Sequence, residues 1–446
     1  MENHSLQRRL GLKEATSLVV GTVIGTGVFL KAATMSQNAG SPLWVLIAWL
    51  VAGLLSFTGA LAYAELGSLF PKAGGEYIFL KEAYGDLFGF LFGWTRFWIG
   101  SPGSIAAYGA GIAAFASAIL PLTEFERGAI AVAMITVFTA LNCLSVAFGG
   151  KIQAALTVLK VFMLVGLTFL LFIFAAPATS SMMNQGQPGL PPISLFGAAL
   201  LAALWAFDGW NNVSMAAGEI KDAEKNVPRA LALGMALVFV LYALINISYF
   251  HALPFQEILT SHSTAYPDAP PVATKAAATV FGSHASVLLS IAFILSAIGA
   301  MNGSILTGAR VPYAMAKDGL FFKRLGEVSA KSHVPWLAIV IQGIWACVLT
   351  LSGTFDQLTD YVIFASWIFY GLGAAAVIVL RIQRPDAPRA FKTPLYPFLP
   401  VVFVLCSLGL LINTLIHSPR DSLIGLGFVL VGIPFYFFFS RQRRRG

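Results

Sequence analysis

The chain has 446 residues, is 57% hydrophobic and only 11% charged, and has a mean hydropathy of +0.78. A soluble protein of this length carries about 25% charged residues, so a water-soluble globular domain is excluded. The net charge of +8 would suit nucleic acid if it were clustered, but it is spread over short loops and ends, and no nucleic-acid partner is expected.

Apolar runs of about 20 residues, long enough to cross hydrocarbon as helices, recur from end to end. In chain order they predict twelve spans: residues 14–36, 43–69, 86–118, 128–147, 151–176, 194–217, 230–252, 285–314, 335–353, 358–381, 397–416 and 422–440. The expected fold class is an all-α polytopic membrane protein, one transmembrane domain embedded in the lipid bilayer. Polar or Pro/Gly-rich turns separate spans at 70–75, 185–189 and 384–388. Residues 1–13 are polar, and the first apolar run continues without a cleavage site, so no secretory signal peptide is expected.

The first span contains Gly21-Thr22-Val23-Ile24-Gly25-Thr26-Gly27. Such residues at membrane depth are tolerated where an opened backbone lines a protein-enclosed cavity. A break here leaves amide N–H groups at the start of the outer half-helix, a positive helix end suited to a carboxylate. Gly25, Thr26 and Gly27 are therefore candidate carboxylate contacts. Helix packing through small residues accounts for Gly21 and Gly25 equally well.

Arg96, beside Trp94, falls near the inner end of the third span, where anchoring to lipid headgroups is expected. Lys160 lies about ten residues, or about 15 Å, into the fifth span, too deep to snorkel easily. A buried ammonium must find partners or give up its proton. Three roles stay open for it: it occupies the place of a coupling sodium ion, it carries a coupling proton, or it is a fixed charge bonded to carbonyls of the first span.

The sixth span contains Phe207-Asp208-Gly209-Trp210-Asn211-Asn212. Unwinding there presents carbonyls of Trp205 and its neighbours to an ammonium group. Asp208 is an ionisable residue in an apolar span, which either attracts the amine or supports the broken backbone. Trp205 and Trp210 either close over a ligand or pack. The outer loop 251–282 is long and Pro-rich, and is either partly ordered or a lid. In the eighth span Ser296, Asn302, Ser304 and Thr307 either line a cavity or join packed helices. Trp205, Phe207, Asn211, Asn302 and Ser304 form the candidate gate and cavity set.

With the N-terminus inside, basic residues concentrate on the inner side, from Arg8 and Arg9 to the tail at 441–445, while the outer side receives Lys31, Arg127, Lys275 and Arg420. Both termini are thus expected in the cytoplasm. Interrupted spans one and six are five spans apart. A five-span repeat must be inverted, which places a site at the membrane midplane. The repeats would be 14–176 and 194–381, with 397–440 outside them. Cys143, Cys347 and Cys406 are scattered in apolar segments and read as small buried hydrophobes. The six histidines share no spacing, so no metal or cofactor is expected.

Several ordered motifs together resemble the amino acid–polyamine–organocation (APC) superfamily, and within it the L-type amino acid transporter family, in particular its bacterial serine/threonine-exchanger branch. The motifs are Gly21 through Phe29; Pro71-Lys72-Ala73-Gly74-Gly75-Glu76-Tyr77; Trp205-Ala206-Phe207-Asp208-Gly209-Trp210-Asn211 with Gly218-Glu219 and Asn226-Val227-Pro228-Arg229-Ala230; and Asn302-Gly303-Ser304 with Arg310. The resemblance covers nearly the whole chain. It implies a LeuT-like 5+5 inverted repeat with helices 1 and 6 broken. It further implies carboxylate contacts at Thr26 and Gly27, amine contacts at the carbonyls of Val23, Trp205 and Asp208, and a gating aromatic at Trp205. Lys160 would stand where sodium-coupled relatives hold a sodium ion. Position 304 is Ser where the bacterial serine/threonine-exchanger branch has Lys, so that branch's substrate range does not transfer. Eukaryotic members bind a heavy-chain glycoprotein through a cysteine between spans three and four. The loop at 120–127 has none, so no disulfide-linked heavy chain is expected.

The expected activity is sodium-independent transport of amino acids across the plasma membrane by alternating access, as obligatory exchange of neutral L-amino acids. Proton-coupled symport is the alternative mechanism, and cationic amino acids or polyamines, drawn by Asp208, are the alternative substrates. No nucleophile–base pair marks an enzyme.

Overall fold

The computed structural model describes residues 5–178, 189–352, 355–417 and 419–445. Of the turn read at 185–189, only Gly189 falls within the described residues. Helices dominate: α1 (Leu12–Val23), α2 (Gly27–Ala39), α3 (Pro42–Leu69), α4 (Glu76–Tyr84), α5 (Asp86–Thr95), α6 (Ser101–Ser117), α7 (Glu124–Leu144), α8 (Val146–Phe174), α9 (Ile193–Ala206), α10 (Asn212–Met215), α11 (Ala223–Ala252), α12 (Phe255–Leu259), α13 (Val272–Phe281), α14 (Ala285–Gly308), α15 (Arg310–Lys317), α16 (Trp336–Ser352), α17 (Phe355–Gln383), α18 (Phe398–His417) and α19 (Pro419–Arg445).

Nine helical stretches among the described residues are long and apolar enough to cross a membrane. Two shorter apolar helices, α9 and α16, occupy the sixth and ninth apolar runs. The third run is α5 and α6 joined by a π-helical turn, Arg96–Gly100. The eighth, read as one span over 285–314, is two helices, and α14 stops at Gly308. Pro312 has no N–H to offer the Gly308 carbonyl, so the hydrogen-bond ladder resets there.

Outward faces are apolar, as lipid requires. On α8, Phe162 and Phe169 are exposed, while Leu164, Leu167 and Leu171 are buried together with Lys160. Inside the bundle, α1 packs on α8, α11 and α14, and α2 packs on α9 and α12. The two interrupted segments thus sit at the centre. The loop at 251–282 is ordered: α12 and α13 lie within it, and Gln37 of α2 donates to the Leu259 carbonyl (2.7 Å) and to Ser263 Oγ (2.9 Å).

At the opposite ends of the helices, ion pairs tie distant segments together. Arg310 makes two bonds to Glu219, at 2.6 and 2.9 Å, with both side chains fully buried. Arg381 grips Glu65 at 2.7 and 2.8 Å. Asp318 accepts from Lys81 (2.5 Å) and Tyr77 (2.7 Å).

Candidate functional site

The first break comes where the sequence places it. After Val23 the chain leaves helical geometry at Ile24, which has ψ 87°, and α2 restarts at Gly27. In the second, α9 ends at Ala206 and α10 begins at Asn212. The two breaks touch: Thr22 Oγ1 lies 2.9 Å from the Gly209 carbonyl and 2.6 Å from that of Leu18, and with one proton donates to one of them at a time. Gly209 has φ +101°, and a Cβ there would lie 3.1 Å from the Thr22 carbonyl oxygen. Only glycine satisfies both the positive φ and this approach. Gly27 is needed for closeness alone, since its Cβ would sit 2.8 Å from that of Ala206. This is the small-residue packing that keeps α2 against α9.

Lys160 reaches across from α8 and donates to the carbonyls of Gly21 and Ile24, each at 2.7 Å. These carbonyls belong to the last turn of α1 and its cap, the negative end of that helix, where a cation is favoured. Ser296 of α14 adds a hydroxyl within 3.1 Å of the Ile24 carbonyl and 3.0 Å of that of Gly25. The opened backbone of the first segment is therefore held from two neighbouring helices.

The Val23 carbonyl, an expected amine contact, already has the Gly25 N–H at 2.8 Å and the Tyr242 hydroxyl at 3.0 Å. The same hydroxyl lies 3.1 Å from the Ala206 carbonyl, so Tyr242 bridges the two breaks and, with one proton, donates to one of them at a time. An incoming ammonium would take the place of that donor. The Trp205 carbonyl accepts the Asp208 N–H at 3.2 Å within the turn. The Asp208 side chain accepts from the Tyr370 hydroxyl of α17 at 2.6 Å. Thr26 is buried beside the break, and Gly25 faces Tyr108 of α6, 3.6 Å from the position its Cβ would take.

Beneath the second break lies a buried polar centre. Glu76 accepts from Tyr63 and, at 2.6 Å, from Asn211 Nδ2. Burial, opposed by the Tyr63 and Asn211 hydrogen bonds and the Arg96 charge, pushes the Glu76 carboxyl up to about 7. Arg96, expected at the lipid headgroups, is instead only 7% exposed and donates from Nη2 to Asn212 Oδ1 at 2.6 Å. The π turn carries the reason: one extra residue in the helical turn changes which side chains face inward.

The remaining candidates separate. Trp205 is half-buried under the ammonium of Lys31, 4.4 Å from the ring centre. Phe207 packs edge-on and tilted against Trp49 and Tyr242. Asn302 spends its side chain on Asn142 (2.9 Å) and Gln153 (2.8 Å), joining α14 to α7 and α8. Ser304 is buried one turn from the α14 terminus. Tyr108, Tyr242 and Tyr370 were not singled out in the sequence. Each is an ordinary aromatic in an apolar run, and only the tertiary contacts mark it.

Membrane-crossing helices, two of them opened side by side around a buried polar centre, define a helical membrane permease. The chain belongs to the amino acid permease family, whose model matches residues 10–438. It is 32% identical to the serine/threonine exchanger SteT of Bacillus subtilis, over 99% of both chains. It is 33% identical to the b(0,+)-type amino acid transporter 1 of Mus musculus, over 98% of this chain and 89% of the relative, and 30% identical to the human cystine/glutamate transporter, over 98% and 86%. These relatives are transporters and exchangers, not enzymes.

Proposed function

We propose that the protein exchanges neutral L-amino acids across the plasma membrane without sodium, by alternating access in a twelve-helix, five-plus-five inverted-repeat fold with both termini in the cytoplasm. The carrying observation is the Lys160 ammonium on the Gly21 and Ile24 carbonyls. A fixed cation on the opened first helix supplies the charge that a sodium ion would otherwise bring. The substrate carboxylate meets the start of α2 at Gly25, Thr26 and Gly27. Its amine meets the carbonyls of Val23, Trp205 and Asp208, and Trp205 closes over it. The relatives' transport of amino acids supports this substrate class.

Proton-coupled symport is the second reading. The hydrogen-bond partners of Lys160 are carbonyls, so loss of its proton leaves no unpaired carboxylate behind. Labelled alanine and serine uptake into proteoliposomes, sodium-free, separates the two. Exchange predicts uptake only into vesicles preloaded with amino acid. Equal uptake into empty vesicles that follows a pH gradient establishes symport, and strict sodium dependence overturns both.

A further inference from the structure

Among the described residues Arg96 is the one guanidinium in the polar centre beneath the breaks, and the local sequence is shaped to put it there. The chain passes from α5 through the π turn Arg96–Gly100 into α6. Pro102 cannot donate to the Trp98 carbonyl, and the Trp345 indole N–H does so instead, at 2.8 Å. Gly100 leaves room for the side chain: a Cβ there would lie 2.9 Å from Arg96 Cδ. Arg96 and Tyr370 line the same small cavity. Arg96 Nε is buried with no hydrogen-bond partner.

Two carboxylates adjoin it: Glu76, bonded to Asn211 next to the Arg96 partner Asn212, and Asp208, bonded to the Tyr370 that shares the Arg96 cavity. Glu76 comes from α4 and is held by Tyr63 and Asn211. Asp208 comes from the break in the sixth segment and is held by Tyr370. Tyr108, which faces Gly25 of the first break, feels both Asp208 and Arg96. The guanidinium therefore acts at the place where the substrate is proposed to lie.

We propose that Arg96 is a specificity-determining residue: it balances the charge of Asp208 and thereby excludes amino acids with cationic side chains. This rests on the neutral-exchange reading and names the residue that enforces it. A free aspartate beside the amine site would attract a second ammonium or a guanidinium. With Arg96 in place, an incoming cation meets a compensated carboxylate and a like charge in a site shielded from water. A neutral side chain meets neither difficulty.

Citrulline and arginine, close to isosteric and differing in charge, test this in the wild-type protein by inhibition of sodium-free alanine exchange. Citrulline is expected to inhibit and arginine to do so at least about tenfold more weakly, the scale of one like-charge contact of about 1.4 kcal/mol. Arginine inhibiting as well as citrulline overturns the proposal, and so does failure of both, because size would then set the limit. In Arg96→Ser the ratio of arginine to citrulline inhibition is expected to rise about tenfold, in Arg96→Lys to stay at the wild-type value, and in Arg96→Ser/Asp208→Asn to fall back. An unchanged ratio in Arg96→Ser, or a raised one in Arg96→Lys, overturns it. If Arg96→Ser does not fold, Arg96→Gln, which removes the charge but keeps a donor for Asn212, takes its place with the same expected rise, and an unchanged ratio in it overturns the proposal. Absence of any alanine exchange by the wild type counts against the transport reading instead.

Discussion

Glu76 shows how one side chain converts burial into a measurable pH dependence. It is fully buried, and its carboxyl is pushed up to about 7, against an ordinary value of about 4.3. Between these values the folded protein holds a proton that the unfolded chain has released. Stability is therefore greatest below the ordinary value and falls as pH rises towards 7, by about 4 kcal/mol at most. Thermal unfolding in detergent between pH 5 and 8 should show a falling Tm for the wild type and a flatter profile for Glu76→Gln. Equal slopes in the two proteins would remove Glu76 as the cause. At this scale the sequence was legible where a residue type contradicts its surroundings. Lys160 in an apolar run, and Gly209 beside Asp208, announce themselves. Arg96 does not, because its place near the inner end of the third span suits a headgroup anchor, and the π turn and a partner more than a hundred residues away decide its environment.

Among the elements, the Glu219–Arg310 pair joins the exit of the sixth segment to the start of α15. Both residues stand in sequence motifs, but 91 positions separate them, and nothing local says that they pair. Both are fully buried, so removing one partner strands a charge. Glu219→Met and Arg310→Met should each cost about 3–5 kcal/mol. The double variant Glu219→Met/Arg310→Met should lose much less than the sum of the two, because neither charge is left alone. Thermal midpoints of the purified variants check this, and additive losses would show that the two act separately. The breaks themselves were readable as elements, because glycine and polar runs interrupt hydrophobic periodicity. Their mutual contact was not, since Thr22 meets Gly209 only once α1 and the sixth segment are packed side by side.

For the whole molecule, the proposed alternating access requires closures at both ends of the central segments that open at different times. At the end near α12 and α13 Phe293 lies against Phe29 and Phe115, with ring centres 4.7 and 4.3 Å apart, and Lys31 covers Trp205. At the other end Asp318 holds Lys81 and Tyr77, which pins α4 to the end of α15 and the Gly74-Gly75 turn against α10. Side-chain exposures of 19% and 28% at Lys81 and Asp318 make this bridge worth only about 1 kcal/mol to overall stability. The same energy is about a fivefold shift between two conformers of similar stability. Asp318→Asn should therefore leave Tm nearly unchanged yet favour opening at that end. Ser214→Cys, introduced after replacement of Cys143, Cys347 and Cys406, reports on it: Ser214 is fully buried beneath the Gly75 backbone. A membrane-impermeant thiol reagent applied from the Lys81 side should label the reporter about fivefold faster when Asp318→Asn is present. Equal labelling rates would mean that the bridge fastens a part that does not move, and the moving closure would then lie at the buried Glu219–Arg310 pair.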